Sequence, residues 1–262
     1  MDKKLKIFVC THKNYKFLKS NYIFPLLCGA DFNKNIGILK DNEGENISSK
    51  NKNYSELTGL YWIWKNVEID YVGLCHYRRY FCLNDNKVQK IENINYDFIK
   101  IEKLLKKYDM LLPKRIGSST KNLEEEYKIS HIANDWEELK KVIKEIQPEY
   151  YETAIEIFSQ RKFYPLNMLL TNKELFDKYC KWLFSILFEL EKRIKISEDP
   201  YQARVFGFIS ERLMGVFIKK NNLKIKEVKI VEIKEDGTIK LEKNKYLRSI
   251  DKRVRKLKEI FK

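Results

Sequence analysis

The chain of 262 residues is long enough to bury a sizeable core in one large domain. Its 44% hydrophobic and 34% charged residues exclude a disordered or fibrous chain. Lys and Arg number 52 against 37 acids, a formal charge of +15, which favours anionic partners.

In chain order, the alternating run 5–10 predicts a strand that ends in the polar loop Thr11-His12-Lys13-Asn14. Residues 32–53, rich in Asn, Lys, Gly and Ser, read as a mobile loop. Leu57, Leu60, Tyr61 and Trp64 recur at helical spacing and predict a helix over 54–66, with Ser55, or less well Thr58, as its cap. Residues 71–75 form a short apolar run read as a buried strand. It leads into Cys75-His76-Tyr77-Arg78-Arg79-Tyr80. A helix over 97–107 and a strand over 108–113, stopped by proline, come next. Helices follow over 136–146, capped by Asn134 or Asp135, and over 149–160. Residues 166–170 read as a strand and 173–194 as an amphipathic helix. Pro200 opens a helix to about 220, and 224–241 holds two edge-like strands around Asp236-Gly237. This alternation predicts an α/β fold with a mostly parallel sheet in one domain, 1–242, followed by a basic tail, 243–262.

Several chemistries lose their support. The five cysteines, at 10, 28, 75, 82 and 180, show no Cys-x-x-Cys spacing, and the three histidines, at 12, 76 and 131, lie far apart, so no metal is expected. There is no phosphate loop, no dinucleotide-binding glycine motif and no serine-hydrolase elbow. Asp-x-Asp, which would place two carboxylates on a nucleotide-bound cation, is missing. No nucleic-acid-binding signature accompanies the basic charge. The apolar run after Met1 is too short for a secretion signal, so reduced thiols and a cytoplasmic location are expected.

The candidate site lies where loops follow strands, because ligands of α/β folds bind beyond the carboxyl ends of strands. Thr11, His12 and Lys13 follow the first strand. His76, Tyr77, Arg78 and Arg79 follow the buried strand, where adjacent arginines suit phosphate oxygens. Gln202, Arg204, Phe208, Glu211 and Arg212 recur at helical spacing. Glu211 is the candidate general base and Asp199, in Glu198-Asp199-Pro200, the second choice. An internal Glu–Arg ion-pair network would give the same pattern.

These motifs resemble a family of bacterial capsular and exopolysaccharide glycosyltransferases long catalogued as a domain of unknown function. The residues that carry the likeness are 6–13, Tyr54-Ser55-Glu56-Leu57-Thr58, Cys75-His76-Tyr77-Arg78-Arg79-Tyr80-Phe81, Asn167-Met168 and Gly207-Phe208-Ile209-Ser210-Glu211-Arg212. The resemblance implies a GT-A-like, Rossmann-like domain. It implies sugar transfer, galactofuranose being one sugar of the family, from a UDP-sugar to a glycan or glycolipid acceptor. It also places Tyr54, Glu56 and Asn167 in the donor pocket. His76, Arg78 and Arg79 are then expected to supply, as cations, the charge that a metal supplies in many GT-A enzymes. The stretch 130–134 departs from the more histidine-rich stretch expected of relatives, which bears on acceptor choice. In the tail, Leu247, Ile250, Val254, Leu257 and Phe261 line one helical face among nine basic residues. That pattern fits peripheral attachment to the anionic inner face of the plasma membrane, or a seam packed on protein. The competing reading of the whole chain is a non-catalytic basic module that docks an anionic polymer or membrane.

Overall fold

The computed structural model describes residues 4–83, 94, 96–117, 122–236 and 238–241. The first strand, β1 (Leu5–Thr11), is apolar on both faces because both are covered. Ile7 and Val9 enter one core, while Phe8 and Cys10 enter the other, since successive side chains leave a strand on opposite faces. Strands β2 (Ile23–Leu27) and β3 (Leu39–Lys40) extend the sheet outward from β1, all parallel. The segment expected to be a mobile loop is instead ordered around Asp41. This fully buried carboxylate accepts the Gly29 and Ala30 N–H groups at 2.8 and 3.0 Å and the Ser48 hydroxyl at 2.5 Å, which offsets the cost of burying a charge.

The helix expected over 54–66 is two helices, α1 (Asn51–Tyr54) and α2 (Leu57–Asn66). They are broken at Ser55, whose φ of 53° lies in the left-handed region. No side chain caps α2, so neither Ser55 nor Thr58 plays the expected part. Gly59 lets α2 lie directly on the sheet; a Cβ there would sit 2.7 Å from Cys28 Sγ and 2.8 Å from Cys10 Sγ.

β4 (Tyr71–His76) pairs with β1 on the side away from β2. β5 (Arg79–Cys82) turns straight back from it. Next come α3 (Phe98–Leu105), capped by Asp97, then β6 (Met110–Pro113) and β7 (Ile116–Gly117). α4 (Leu123–Ser130), which was not anticipated, is capped by Asn122, whose Oδ1 accepts the Glu125 N–H at 2.8 Å. α5 (Ala133–Ile146) starts earlier than expected, at the uncapped Ile132. Asn134 and Asp135 therefore lie inside it rather than capping it, and burial pushes the Asp135 carboxyl up to about 6. α6 (Pro148–Phe158) and β8 (Lys162–Phe163) follow. β9 (Leu169–Asn172) leads into α7 (Lys173–Glu191). A 3₁₀ turn, Gln202–Arg204, precedes α8 (Val205–Lys220). β10 (Ile225–Ile233) and β11 (Ile239–Leu241) close the described chain.

The sheet order is β11-β10-β6-β9-β4-β1-β2-β3, with β5 bridging β10 and β4. The expected mostly parallel sheet is corrected to a mixed one, because β9, β5 and β11 run against their neighbours. The short β4–β5 and β10–β11 connections permit nothing else, since parallel neighbours need a long crossover. β10, expected at an edge, lies between β6 and β11. Helices α2 and α4–α8 cover one face; α3 and the segment around Leu18 cover the other. Among the described residues no helix is long and apolar enough to cross a membrane. The basic tail expected over 243–262 lies outside the described residues.

Candidate functional site

The order β3-β2-β1-β4 means that the chain leaves β1 in one direction and returns on its other side. The crevice beyond the carboxyl ends of β1 and β4 is thus a topological switch point, the preferred ligand position of such sheets. A cleft of about 1440 Å³ opens there, larger than the usual range for one small ligand. Cys10 and His76 pair across the two strands, and the Tyr77 N–H donates to the Cys10 carbonyl at 3.0 Å. Because His76 also pairs with Arg79, Tyr77 and Arg78 form the tip of a tight turn over the cleft.

That turn separates the two arginines. Arg79 lies in β5 opposite Glu232 of β10, with Nη2 and Oε1 3.7 Å apart. Arg78 packs its guanidinium 5.1 Å from the Tyr77 ring centre, and its buried Nε has no hydrogen-bond partner. His12 sits edge-on to Tyr77 at 5.3 Å. Burial lowers its pKa first, and the positive charges of Lys13, Arg78 and Arg204 lower it further. This half of the cleft is electropositive and suited to an anion.

The opposite half is built on two residues in the left-handed region, Leu166 (φ 75°) and Asn167 (φ 50°). Leu166 donates its N–H to Glu211 Oε1 at 2.5 Å. Its carbonyl accepts the Nε2–H of His76 at 2.6 Å. Asn167 Nδ2 donates to Glu56 Oε1 at 2.8 Å, and Asn167 Oδ1 accepts the Ser210 hydroxyl at 2.8 Å. One strained pair thus positions Glu211, His76 and Glu56, a use of strain typical of functional sites. Burial pushes Glu211 up to about 7 against the opposing pull of Arg212 and the Leu166 N–H. Arg212, itself buried, lies 2.7 Å from Glu126 and 3.2 Å from Glu211. Among the described residues no three His, Cys, Asp or Glu side chains gather in a way that would hold a metal ion.

The comparisons with known proteins fit this geometry. A family model described as a domain of unknown function, DUF4422, matches residues 6–222. The chain belongs to this family. It is also similar to the apo structure of WbbM, a bifunctional glycosyltransferase, with 32% identity and a TM-score of 0.79 over 87% of this chain. The chain spans only 45% of that protein's length. No curated protein matches.

The DUF4422 domain brings most of the expected site residues to one cleft: Thr11, His12, Glu56, His76, Tyr77, Arg78, Arg79, Asp199, Arg204, Glu211 and Arg212 all line it. Three do not. Lys13 is exposed and paired with Glu235 at 3.0 Å. Tyr54 is a core residue, stacked on Phe206 and donating to Glu191 at 3.1 Å, because α1 turns that ring inward. Asn167 is buried behind the wall, holding Glu56. For His76, burial lowers the pKa, which works against the cationic part expected of it, and the Leu166 carbonyl, which can only accept, places a proton on Nε2. Thr11 spends its hydroxyl on its own loop, donating to the Lys13 carbonyl at 2.6 Å. Asp199 Oδ1 accepts the N–H groups of Tyr201 and Gln202 at 3.0 and 2.8 Å, holding the bend that leads into the 3₁₀ turn. Sequence reasoning missed Tyr201 and the Leu166 backbone. It took Ser55 for a cap, although its Oγ accepts from Arg204 Nε at 3.0 Å at the cleft rim.

Proposed function

We propose that this DUF4422 domain is a metal-independent, inverting glycosyltransferase that moves a sugar from a UDP-sugar to a glycan or glycolipid acceptor. One observation carries the reading. A carboxylate poised to titrate near neutrality, Glu211, faces an electropositive strand-end pocket across a single cleft at the switch point of the sheet. A general base works best when its pKa lies near the operating pH, and the pocket offers cations where a diphosphate leaving group gains charge. The likeness to a glycosyltransferase supports the same class.

In this reading Glu211 takes the proton of the acceptor hydroxyl as its oxygen attacks the anomeric carbon. The bond to the diphosphate oxygen breaks on the opposite face, and UDP leaves with the bonding electron pair. Arg78 is the principal cation for that leaving group, with Arg204 at the rim. His76 donates to Leu166 and helps hold the loop that orients Glu211. Glu56 faces the same cleft and is the second carboxylate available to a sugar hydroxyl.

The test is UDP release from a panel of UDP-sugars, UDP-galactofuranose first because of the family resemblance, with a lipid-linked acceptor. Donor-dependent UDP release supports the reading. No UDP binding and no turnover across the panel overturns it and leaves the docking-module reading. The tail belongs to the proposal as a peripheral anchor on the cytoplasmic face, each Lys or Arg near anionic lipid contributing about 1 kcal/mol. Truncation after residue 240 should abolish sedimentation with anionic liposomes and spare UDP binding. Equal sedimentation of both proteins refutes the anchor.

A further inference from the structure

We propose that Tyr201, His131 and Phe208 form the subsite that receives the acceptor sugar, stacking its ring so that a hydroxyl meets Glu211; this rests on the glycosyltransferase reading and names its second substrate site. The three rings come from separate places: the end of α4, the turn before α8, and the first turns of α8. They nevertheless form one cluster. His131 and Phe208 stack at 4.2 Å with 24° between planes, Tyr201 and Phe208 lie 5.0 Å apart, and His131 and Tyr201 lie 5.8 Å apart at 23°. All three line the cleft and are only half buried. Aromatic rings that keep part of their surface exposed in a polar cleft gain most from a ligand that has an apolar face and polar edges. A sugar ring in its chair form has both: C–H bonds on its face and hydroxyls around its rim.

The cluster is braced rather than loose. Gln202 Nε2 donates to the Ser130 carbonyl at 3.1 Å, and its Oε1 lies 3.1 Å from His131 Nδ1. The amide therefore ties the end of α4 to the turn before α8 and sets the plane of the imidazole. Its carbonyl oxygen can only accept, so His131 carries a proton on Nδ1.

Position separates this subsite from the nucleotide. Phe208 lies three residues before Glu211 on α8, so the two share a helix face. An acceptor resting on Phe208 is one helical turn from the base. Arg78, the cation at the turn tip, belongs to the strand-end half. In an inverting displacement the base stands on the acceptor side and the diphosphate leaves on the other, so rings beside Glu211 face the acceptor. Arg204 marks the boundary, reaching Ser55 at one side and lying 5.6 Å from the Phe208 ring centre at the other.

The experiment measures two quantities on the full chain: UDP affinity by calorimetry, and the KM for octyl glycosides as acceptor probes with whichever UDP-sugar turns over. Tyr201→Ala should raise the octyl glycoside KM about tenfold, the loss of roughly one stacking contact, while UDP affinity stays within about twofold. Tyr201→Phe should restore the KM. Phe208→Leu, which keeps most of the buried volume, should act in the same direction as Tyr201→Ala. A tenfold loss of UDP affinity with an unchanged acceptor KM would overturn the proposal and make the cluster a nucleobase platform. Unchanged values in both variants would reduce the rings to packing. A wild-type protein that neither binds UDP nor turns over refutes the glycosyltransferase reading instead, and this subsite with it.

Discussion

Replacing Glu211 with glutamine removes one negative charge from a buried position while nearly keeping the shape. The carboxyl is pushed from 4.5 to about 7, which corresponds to about 3 kcal/mol against its ionised form. The folded-state pKa is raised, so the stability contributed by this group is fully present below about 4.5 and is lost as pH rises through about 7. At pH 8 the wild type therefore carries a penalty that glutamine does not. The amide oxygen can still accept the Leu166 N–H. The amide NH₂, however, faces Arg212 Nη1 and loses that contact, at a cost of about 1 kcal/mol; Arg212 keeps Glu126 at 2.7 Å. The net expectation is that Glu211→Gln stabilises the protein at pH 8 by about 1–2 kcal/mol, or roughly 4 °C in Tm. At pH 5, where the wild-type carboxyl is already protonated, the gain should vanish. Thermal melts at the two pH values measure this directly. In the wild type, turnover should rise with pH through a midpoint near 7 as Glu211 ionises, and in the variant it should fall by about 10²–10⁴-fold. A Tm difference that is the same at pH 5 and pH 8 refutes the electrostatic argument. Normal turnover of the variant refutes the base assignment and leaves Glu211 as an ion-pair residue.

Arg78→Ala should lower kcat by about 10²-fold, as for loss of one transition-state donor. Arg79→Ala should cost less, because its guanidinium already answers Glu232; equal losses in steady-state assays would contradict this division of roles. Activity should persist in EDTA, and strict dependence on added Mn²⁺ or Mg²⁺ would refute the metal-independent reading. Asp41→Ala leaves the buried Gly29 N–H, the partly buried Ala30 N–H and the Ser48 hydroxyl without their acceptor and should destabilise the protein by about 3 kcal/mol in urea unfolding; a loss below about 1 kcal/mol would show that the 28–50 segment is not held by this carboxylate.

Much of the scaffold was legible because it is written locally. β1, β4 and β6 are buried on both faces and read as short apolar runs, and α7 carries its apolar stripe at helical spacing. Other features were legible but went unread: Asn122 three residues before Glu125 is the start signal of α4. β2 was hidden by Pro25 in its middle, and β3 has only two residues. The break at Ser55 has no compositional signal, since serine is not a residue that favours a positive φ. Asn167 does tolerate that region, but Leu166 beside it argues for a strand, and only the packed structure holds both residues there.

The sequence by itself determined the α/β alternation, the positive charge and the chemical residues placed just after strands, because each depends on neighbours within a few positions. Tertiary structure decided which of those residues meet. The sheet register sets Arg79 against Glu232 and leaves Arg78 at the turn tip, and the inward turn of α1 takes Tyr54 out of the site. The pKa shifts of Glu211 and of His76 were decided there too. Burial sets the cost of a charge and sequence-distant groups offset it, so no local pattern of residues encodes either shift.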